Sequence, residues 1–342
     1  MGVDLADIIP EHAVTLDSLS GKTLAVDAYN ALYQFLAIIR QPDGTPLKDR
    51  QGRVTSHLSG LLYRTTNLAE KGIRLAFIFD GKPPEMKALE IKRRRRVKEE
   101  AIAHYEVAVR KGRLEEARMY AQATSSLKDL MVDNAKKLLE ALGVAWIQAP
   151  SEGEAQAAFI AARGDVWAVA SQDHDSLLFG APRMVKNLAI TGRRKLPRRD
   201  AYVEVEPTLI ELPKVLAELS ITREQLIDIG ILIGTDFNPD GVKGVGPKTA
   251  AKLIREHGSL EALEANEPDV QVPSNMDRVR EIFLKPDVTT DYSLTWSAPS
   301  PEKVVQFLCS EHDFSEDRVR KAVSRMVTGA KASQKSTLES FF

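Results

Sequence analysis

Seven carboxylates in this chain stand where chemistry could be done: Asp27, Asp80, Glu152, Glu154, Asp173, Asp175 and Asp236. They lie in the segments "VDAYN", "IFDGK", "PSEGEA", "SQDHDS" and "GTDFN". Gathered in one place they would repel strongly, so a hard cation must neutralise them. Oxygen donors without His or Cys spacing select Mg²⁺, or Mn²⁺ in its place, over Zn²⁺. More than four carboxylates exceed what a single Mg²⁺ takes, because that ion keeps several waters. Two ions roughly 3.5–4 Å apart would use them all, and such a pair suits in-line displacement at phosphorus.

The elements that must position these groups follow from where they sit. "KTLAVDA" (22–28) closes on Asp27, "IRLAFIFDG" (73–81) on Asp80, and "VWAVASQDHDS" (166–176) on Asp173 and Asp175. Helical patterns lie between them, over 28–40, 126–142 and 154–163, the last following the strand-like "VAWIQA". That alternation predicts an α/β fold with a mixed, mostly parallel central sheet flanked by helices. Ligands of such sheets sit beyond the carboxyl ends of the strands, which is where Asp27, Asp80 and Asp173 fall. Plainer roles compete: an Asp after a strand is often a turn residue or helix cap, and Ser151 with Glu154 matches a capping box. Glu152 and Glu154 lie about 200° apart on an ideal helix, so they share a site only if that helix points its N-terminus there.

Positive charge is gathered just as tightly. The formal net charge is −1, yet Lys87 to Lys98 holds seven Lys or Arg against Glu90 alone. Residues 85–122 read as a long polar helical excursion from the domain. On a helix, Lys87, Arg94 and Lys98 form one stripe, which would hang over the crevice and hold a phosphate against the metals. Arg93, Arg95 and Arg96 would face other directions, toward a nucleic-acid backbone or simply toward solvent. After residue 220 the pattern turns helical, and "GVKGVGPKTAAKLI" sets Gly244 and Gly246 before a helix that starts at Pro247. Glycines there permit a tight turn whose amides, with Lys248, can meet a phosphodiester without reading sequence.

Composition sets the bounds. Hydrophobic residues at 43% and charged residues at 28% describe a soluble globular chain with a core. No apolar run approaches the ~20 residues of a membrane span. The start "MGVDLADIIPEH" lacks a secretory pattern, and Cys309, the one cysteine, excludes an intramolecular disulfide. An intracellular protein is expected.

In order and spacing, "VDAYNALYQFL", "TSHLSGLLYRT", "FIFDGKPPEMK", "APSEGEAQAA", "SQDHDSLLFG", "ILIGTDFN", "GVGPKTAAKLI" and "FLCSEHDFSEDRVRKAV" resemble the archaeal and eukaryotic flap endonucleases over essentially the whole chain. The resemblance implies a structure-specific 5′ nuclease that cuts near the base of 5′ flaps in branched DNA, and a 5′-3′ exonuclease on nicked or gapped DNA. It implies roles in replication and base-excision repair, in the cytoplasm of an archaeon or the nucleus of a eukaryote, and a monomer. The nuclease domain would span 1–328, with an N-terminal region to about 110 and an internal region over about 125–260. A helical arch would cover about 82–125 and a helix-two-turn-helix element about 222–262. The seven carboxylates align with the family's metal set, Lys87 and Arg94 with arch residues at the scissile phosphate, and Tyr33 with an aromatic stacked near it; Tyr33 could otherwise be an ordinary core residue. The implied DNA contacts are Gly2, Glu152, Arg93, Arg95, Lys98, Gly234, Asp236, Gly244, Gly246, Lys248, Thr249 and Lys252, with K⁺ at the glycine hairpin. A flexible tail over 329–342 resembles a sliding-clamp-binding box in extended form, using Lys335, Leu338, Phe341 and Phe342. Lys335 stands at the usual glutamine position, with Gln334 one residue early, and "KDRQGRV" (48–54) lacks the acidic cluster of many eukaryotic members. The competing readings are a related 5′ exonuclease or junction resolvase, and a non-catalytic scaffold on branched DNA.

Overall fold

The computed structural model describes residues 2–41, 43–111, 113, 116, 120, 127–188, 192–195 and 202–339. In chain order the elements of its first half are β1 (His12–Ala13), β2 (Thr23–Asp27), α1 (Ala28–Ile38), α2 (Ser56–Glu70), β3 (Arg74–Phe79), α3 (Ala88–Arg110), α4 (Asp129–Ala141), β4 (Ala145–Gln148) and α5 (Gly153–Ala162). Then come β5 (Ala168–Ala170), α6 (Asp175–Leu178), β6 (Arg183–Lys186), β7 (Gly192–Lys195), β8 (Tyr202–Val205), β9 (Thr208–Glu211) and α7 (Leu212–Leu219). The chain closes with α8 (Arg223–Ile233), α9 (Pro247–His257), α10 (Leu260–Asn266), α11 (Met276–Leu284), α12 (Pro301–Val305) and α13 (Glu316–Glu339).

The main sheet runs β1-β9-β6-β5-β2-β3-β4. Strands β6, β5, β2, β3 and β4 are parallel, and β9 and β1 add an antiparallel edge. Successive side chains of a strand point to opposite faces, and the core divides accordingly. Ala25, Ile78, Ile147, Val169 and Met184 pack on the face covered by α5 and α8. Leu24, Val26, Leu75, Phe77 and Phe79 pack on the other, against α1, α2, α4 and α13. The unbroken apolar runs that predicted these strands are what burial on both faces demands. Phe79 is fully buried at the end of β3, so truncating it to alanine would destabilise the fold by about 3–5 kcal/mol. Because the five central strands are parallel, the segments after β2, β3, β4 and β5 all emerge at one edge, and with them six of the seven carboxylates.

Several expectations need correction. Ser151 and Glu154 form no capping box: the N-cap of α5 is Glu152, with no side-chain cap, and Ser151 Oγ donates to the Lys82 carbonyl at 3.1 Å. Lys87 closes a 3-10 turn (Glu85–Lys87) after Pro84, so it does not share a regular helical stripe with Arg94 and Lys98. The backbone over 329–339 continues α13 instead of forming an extended tail, as its Ala, Lys, Gln and Leu content favours. Phe341 and Phe342 lie outside the described residues, as does most of the expected arch beyond residue 111. The small β7–β8 hairpin left no signal among the motifs. Among the described residues no helix is long and apolar enough to cross a membrane.

Candidate active site

The crevice is built strand by strand. Asp27 ends β2 and also caps α1, accepting the Asn30 amide N–H at 3.0 Å, so its plain role and its place in the crevice coexist. Asp80 follows β3 and accepts the Gly153 amide N–H at 2.6 Å, which ties it to the first turn of α5. That helix points its N-terminus into the crevice, as the spacing of its glutamates required. Glu152 faces Lys87, whereas Glu154 is buried and accepts from Ser171 Oγ and from Ser176 Oγ, the latter at 3.3 Å. Asp173 and Asp175 follow β5, and Asp175 accepts the Val3 amide N–H at 2.7 Å. Gly2 leaves no room for a side chain: a Cβ there would lie 2.5 Å from Asp175 Oδ2.

Asp236 comes from 61 residues beyond Asp175, after α8. A tight turn holds it: Asn238 Oδ1 accepts from the Thr235 amide at 3.2 Å and its hydroxyl at 2.6 Å, while Asn238 Nδ2 donates to the Ile231 carbonyl at 2.7 Å. All seven groups thereby form one electrostatic set. Burial, then Asp80, pushes the Asp27 carboxyl up to about 8. Burial, then Asp236, takes Asp175 to about 7, and burial, then Glu152, takes Asp80 to about 6. Glu154 is held well above the usual range by burial and by Asp173, Asp175 and Asp27.

Such crowding of anionic oxygen is the signature of a site made for cations. The donors are all carboxylates, which fits hard divalent ions and not zinc. Among the described residues no three acidic or histidine groups already close on a single point. Instead two basic side chains reach in. Lys87 Nζ pairs with Glu152 and, at 3.2 Å, with Asp236. Burial opposes its charge, but Glu152 and Asp236 outweigh that and hold the ammonium above its ordinary range. Arg94 bonds Glu90 at 2.7 Å and also meets Asp236.

The other expected contacts are looser. Arg93 reaches the Pro239 carbonyl at 3.5 Å, linking α3 to the turn after Asp236. Arg95 and Arg96 pair with Glu99 and Glu100 of their own helix at 2.9 and 3.0 Å, not with the crevice. Lys98 is half-buried, and burial lowers its pKa. Tyr33 is 43% exposed, which excludes the core role. Between α8 and α9, Gly234 ends one helix and Gly244 takes a φ of +83°, a conformation only glycine adopts freely. Gly246 is an extended N-cap with no side-chain cap, and Lys248, Thr249 and Lys252 are exposed. Ser171, Ser176, Asn30 and the N-terminal strap at Val3 were not singled out. The first three carry one sequence signal, polar residues packed tightly around the aspartates in "DAYN" and "SQDHDS", and Val3 carries none.

Carboxylates pooled at the carboxyl edge of a mostly parallel sheet, beneath a basic helix, give the chain the character of a 5′ nuclease. The solved structures agree: flap endonuclease-1 from Methanococcus jannaschii superposes with a TM-score of 0.76 at 43% identity, over 96% of this chain and 100% of that one. The catalytic core of Rad2 in complex with DNA substrate shares the fold, with a TM-score of 0.73 at 22% identity, over 95% and 100% of the two chains. The XPG N-terminal domain matches residues 1–101 and the XPG I-region residues 143–236. Flap endonuclease 1 of Hyperthermus butylicus is 60% identical across 95% of this chain and 94% of its own length. That of Staphylothermus marinus is 54% identical across the whole of both. The chain belongs to the flap endonuclease 1 family.

Proposed function

We propose that this chain is a divalent-metal-dependent flap endonuclease that hydrolyses one phosphodiester near the base of a 5′ single-stranded flap, in replication and base-excision repair. The observation that carries this reading is the crevice of carboxylates at the carboxyl edge of the sheet, with Lys87 and Arg94 reaching into it. Asp27, Asp80, Glu152, Glu154, Asp173, Asp175 and Asp236 would hold the metal, directly or through water. Two bound Mg²⁺ would supply Lewis acidity, lowering the pKa of water and neutralising charge at phosphorus.

The protein's own groups do the rest. In the free protein Lys87 and Arg94 are held at the crevice by Glu152 and Asp236. A phosphodiester entering there offers them another anionic partner, and the negative charge that grows on its oxygens favours the exchange. Water adds to phosphorus and the 3′ oxygen leaves, so the products carry a 5′-phosphate and a 3′-hydroxyl. Tyr33, exposed on α1, offers a face on which the nucleotide at the cut can stack. The glycine hairpin, with Lys248 and Lys252 beside it, would grip duplex backbone away from the cut and set the register of the break.

The nuclease domain over 1–328 acts as a monomer in this reading, and the C-terminal segment serves a sliding clamp. Substituting Phe341 and Phe342 together with alanine should remove clamp binding and leave clamp-free cutting intact. The test of the function is a product-mapped digest of a double-flap substrate, with and without Mg²⁺, beside a blunt duplex and a four-way junction. Metal-dependent cutting within a nucleotide or so of the flap base is the expected result. Preference for the four-way junction, or metal-independent cutting, would contradict it.

A further inference from the structure

Below Asp27 and Asp173, helix α1 carries two carboxamides one turn apart, Asn30 and Gln34. Asn30 touches carboxylates from two different strands. Its main-chain N–H donates to Asp27 Oδ1 at 3.0 Å, and its side-chain Nδ2 reaches Asp173 Oδ2 at 3.5 Å. Gln34 Nε2 donates to Asn30 Oδ1 at 2.7 Å. This last bond fixes which way the Asn30 carboxamide faces. With Oδ1 engaged, only the N–H₂ can meet Asp173, whereas the flipped group would aim an oxygen at a carboxylate. Gln34 also borders a cavity of about 30 Å³ that Asp27, Asn30, Arg64 and Ser171 line.

We infer that Asn30 and Gln34 are positioning residues for the metal-binding carboxylates: Asn30 sets the side chain of Asp173 relative to Asp27, and Gln34 sets Asn30. The inference rests on the reading that the crevice holds divalent ions. A neutral donor suits the task, because it can orient a carboxylate without taking the cation's place, as a lysine would. Partners of ligands at metal sites typically matter by 10–100-fold in metal affinity. The 3.5 Å contact is long, so an effect of about tenfold, at the lower end of that range, is expected.

The experiment is calorimetric titration of Mn²⁺ into the DNA-free, full-length protein. Asn30→Leu keeps the main-chain bond to Asp27 and removes only the carboxamide, and Asn30→Ala repeats the test should leucine disturb packing. Mn²⁺ affinity should fall about tenfold in both, and about threefold in Gln34→Leu, whose effect passes through Asn30. The Mg²⁺ concentration that half-saturates cleavage should rise by the same factors, while the rate at saturating Mg²⁺ stays within about threefold of wild type. Melting temperature without metal and flap affinity in Ca²⁺ should not change. Unaltered Mn²⁺ affinity in the Asn30 variants would overturn the assignment. So would a loss of affinity that appears only with a lowered melting temperature. If the wild type itself took up no Mn²⁺, the metal reading would fall first, and that outcome is distinguishable because the variants would then have nothing to weaken.

Discussion

In the crevice, Asp27, Glu154, Asp175 and Asp236 are buried, and Asp27, Glu154 and Asp175 each answer to donors that include an amide or a hydroxyl. In the hairpin between α8 and α9, Lys248, Thr249 and Lys252 are exposed, and the turn uses the positive φ of Gly244 and the extended Gly246, with Val242 and Val245 packed on the core. Both regions are suited to a phosphodiester, yet they are made differently. Burial lets carboxylates be placed closely and keeps their mutual repulsion unscreened, so the crevice stores a demand for cations. Exposure gives the hairpin cations whose attraction is screened by salt and tolerant of sequence. In the proposed function, chemistry belongs to the first region and grip to the second.

That division can be broken by mutation. Asp80→Ala should lower cleavage by more than about a thousandfold while flap affinity in Ca²⁺ survives, since the residue belongs to the chemistry. Single-turnover assay against filter binding separates the two, and retained cutting at normal rate would refute the assignment. Lys87→Ala and Arg94→Ala should each lower the single-turnover rate by about a hundredfold to a thousandfold, with affinity within a few fold.

A pH series sharpens the same contrast. Asp27 and Asp175 have folded-state values raised from 3.8 to about 8 and about 7. A raised carboxyl pKa means the folded state prefers the protonated form, so the stability it contributes is complete below about 4 and is lost as pH rises through 7 to 8. The metal-free melting temperature should therefore fall between pH 5 and 8.5, and Mg²⁺ should raise it more at the alkaline end. A metal-induced gain that is equal across that range would speak against crowding in the crevice. The smallest effect belongs to the hairpin: Lys248→Ala should weaken duplex binding a few fold and reduce the salt slope by about one, without altering the rate at saturation.

The sequence disclosed the crevice because its parts obey a period. Apolar runs ending in Asp27, Asp80 and Asp173 announce parallel strands, and parallel strands leave their carboxyl ends on one edge. Asp236 was legible from its "GTD" setting, although only the Thr235–Asn238 turn explains how a residue from the helical half reaches that edge. What escaped was whatever depends on neighbours distant in sequence. Proline and a 3-10 turn, not a helical stripe, bring Lys87 to Glu152, and a bond from Ser151 to the Lys82 carbonyl displaces the capping box. Arg95 and Arg96 show the limit of reading a charge run: glutamates four residues on, at 99 and 100, satisfy them along the same helix. The carboxamides of α1 carry no periodic or charge signal and came to light only with the fold.

Anomalous diffraction from crystals soaked in Mn²⁺ probes the crevice most directly. Two peaks roughly 3.5–4 Å apart, lying among Asp27, Asp80, Glu154, Asp173 and Asp175, are expected. Crystals that diffract well and show no manganese between Asp80 and Asp173 would contradict it.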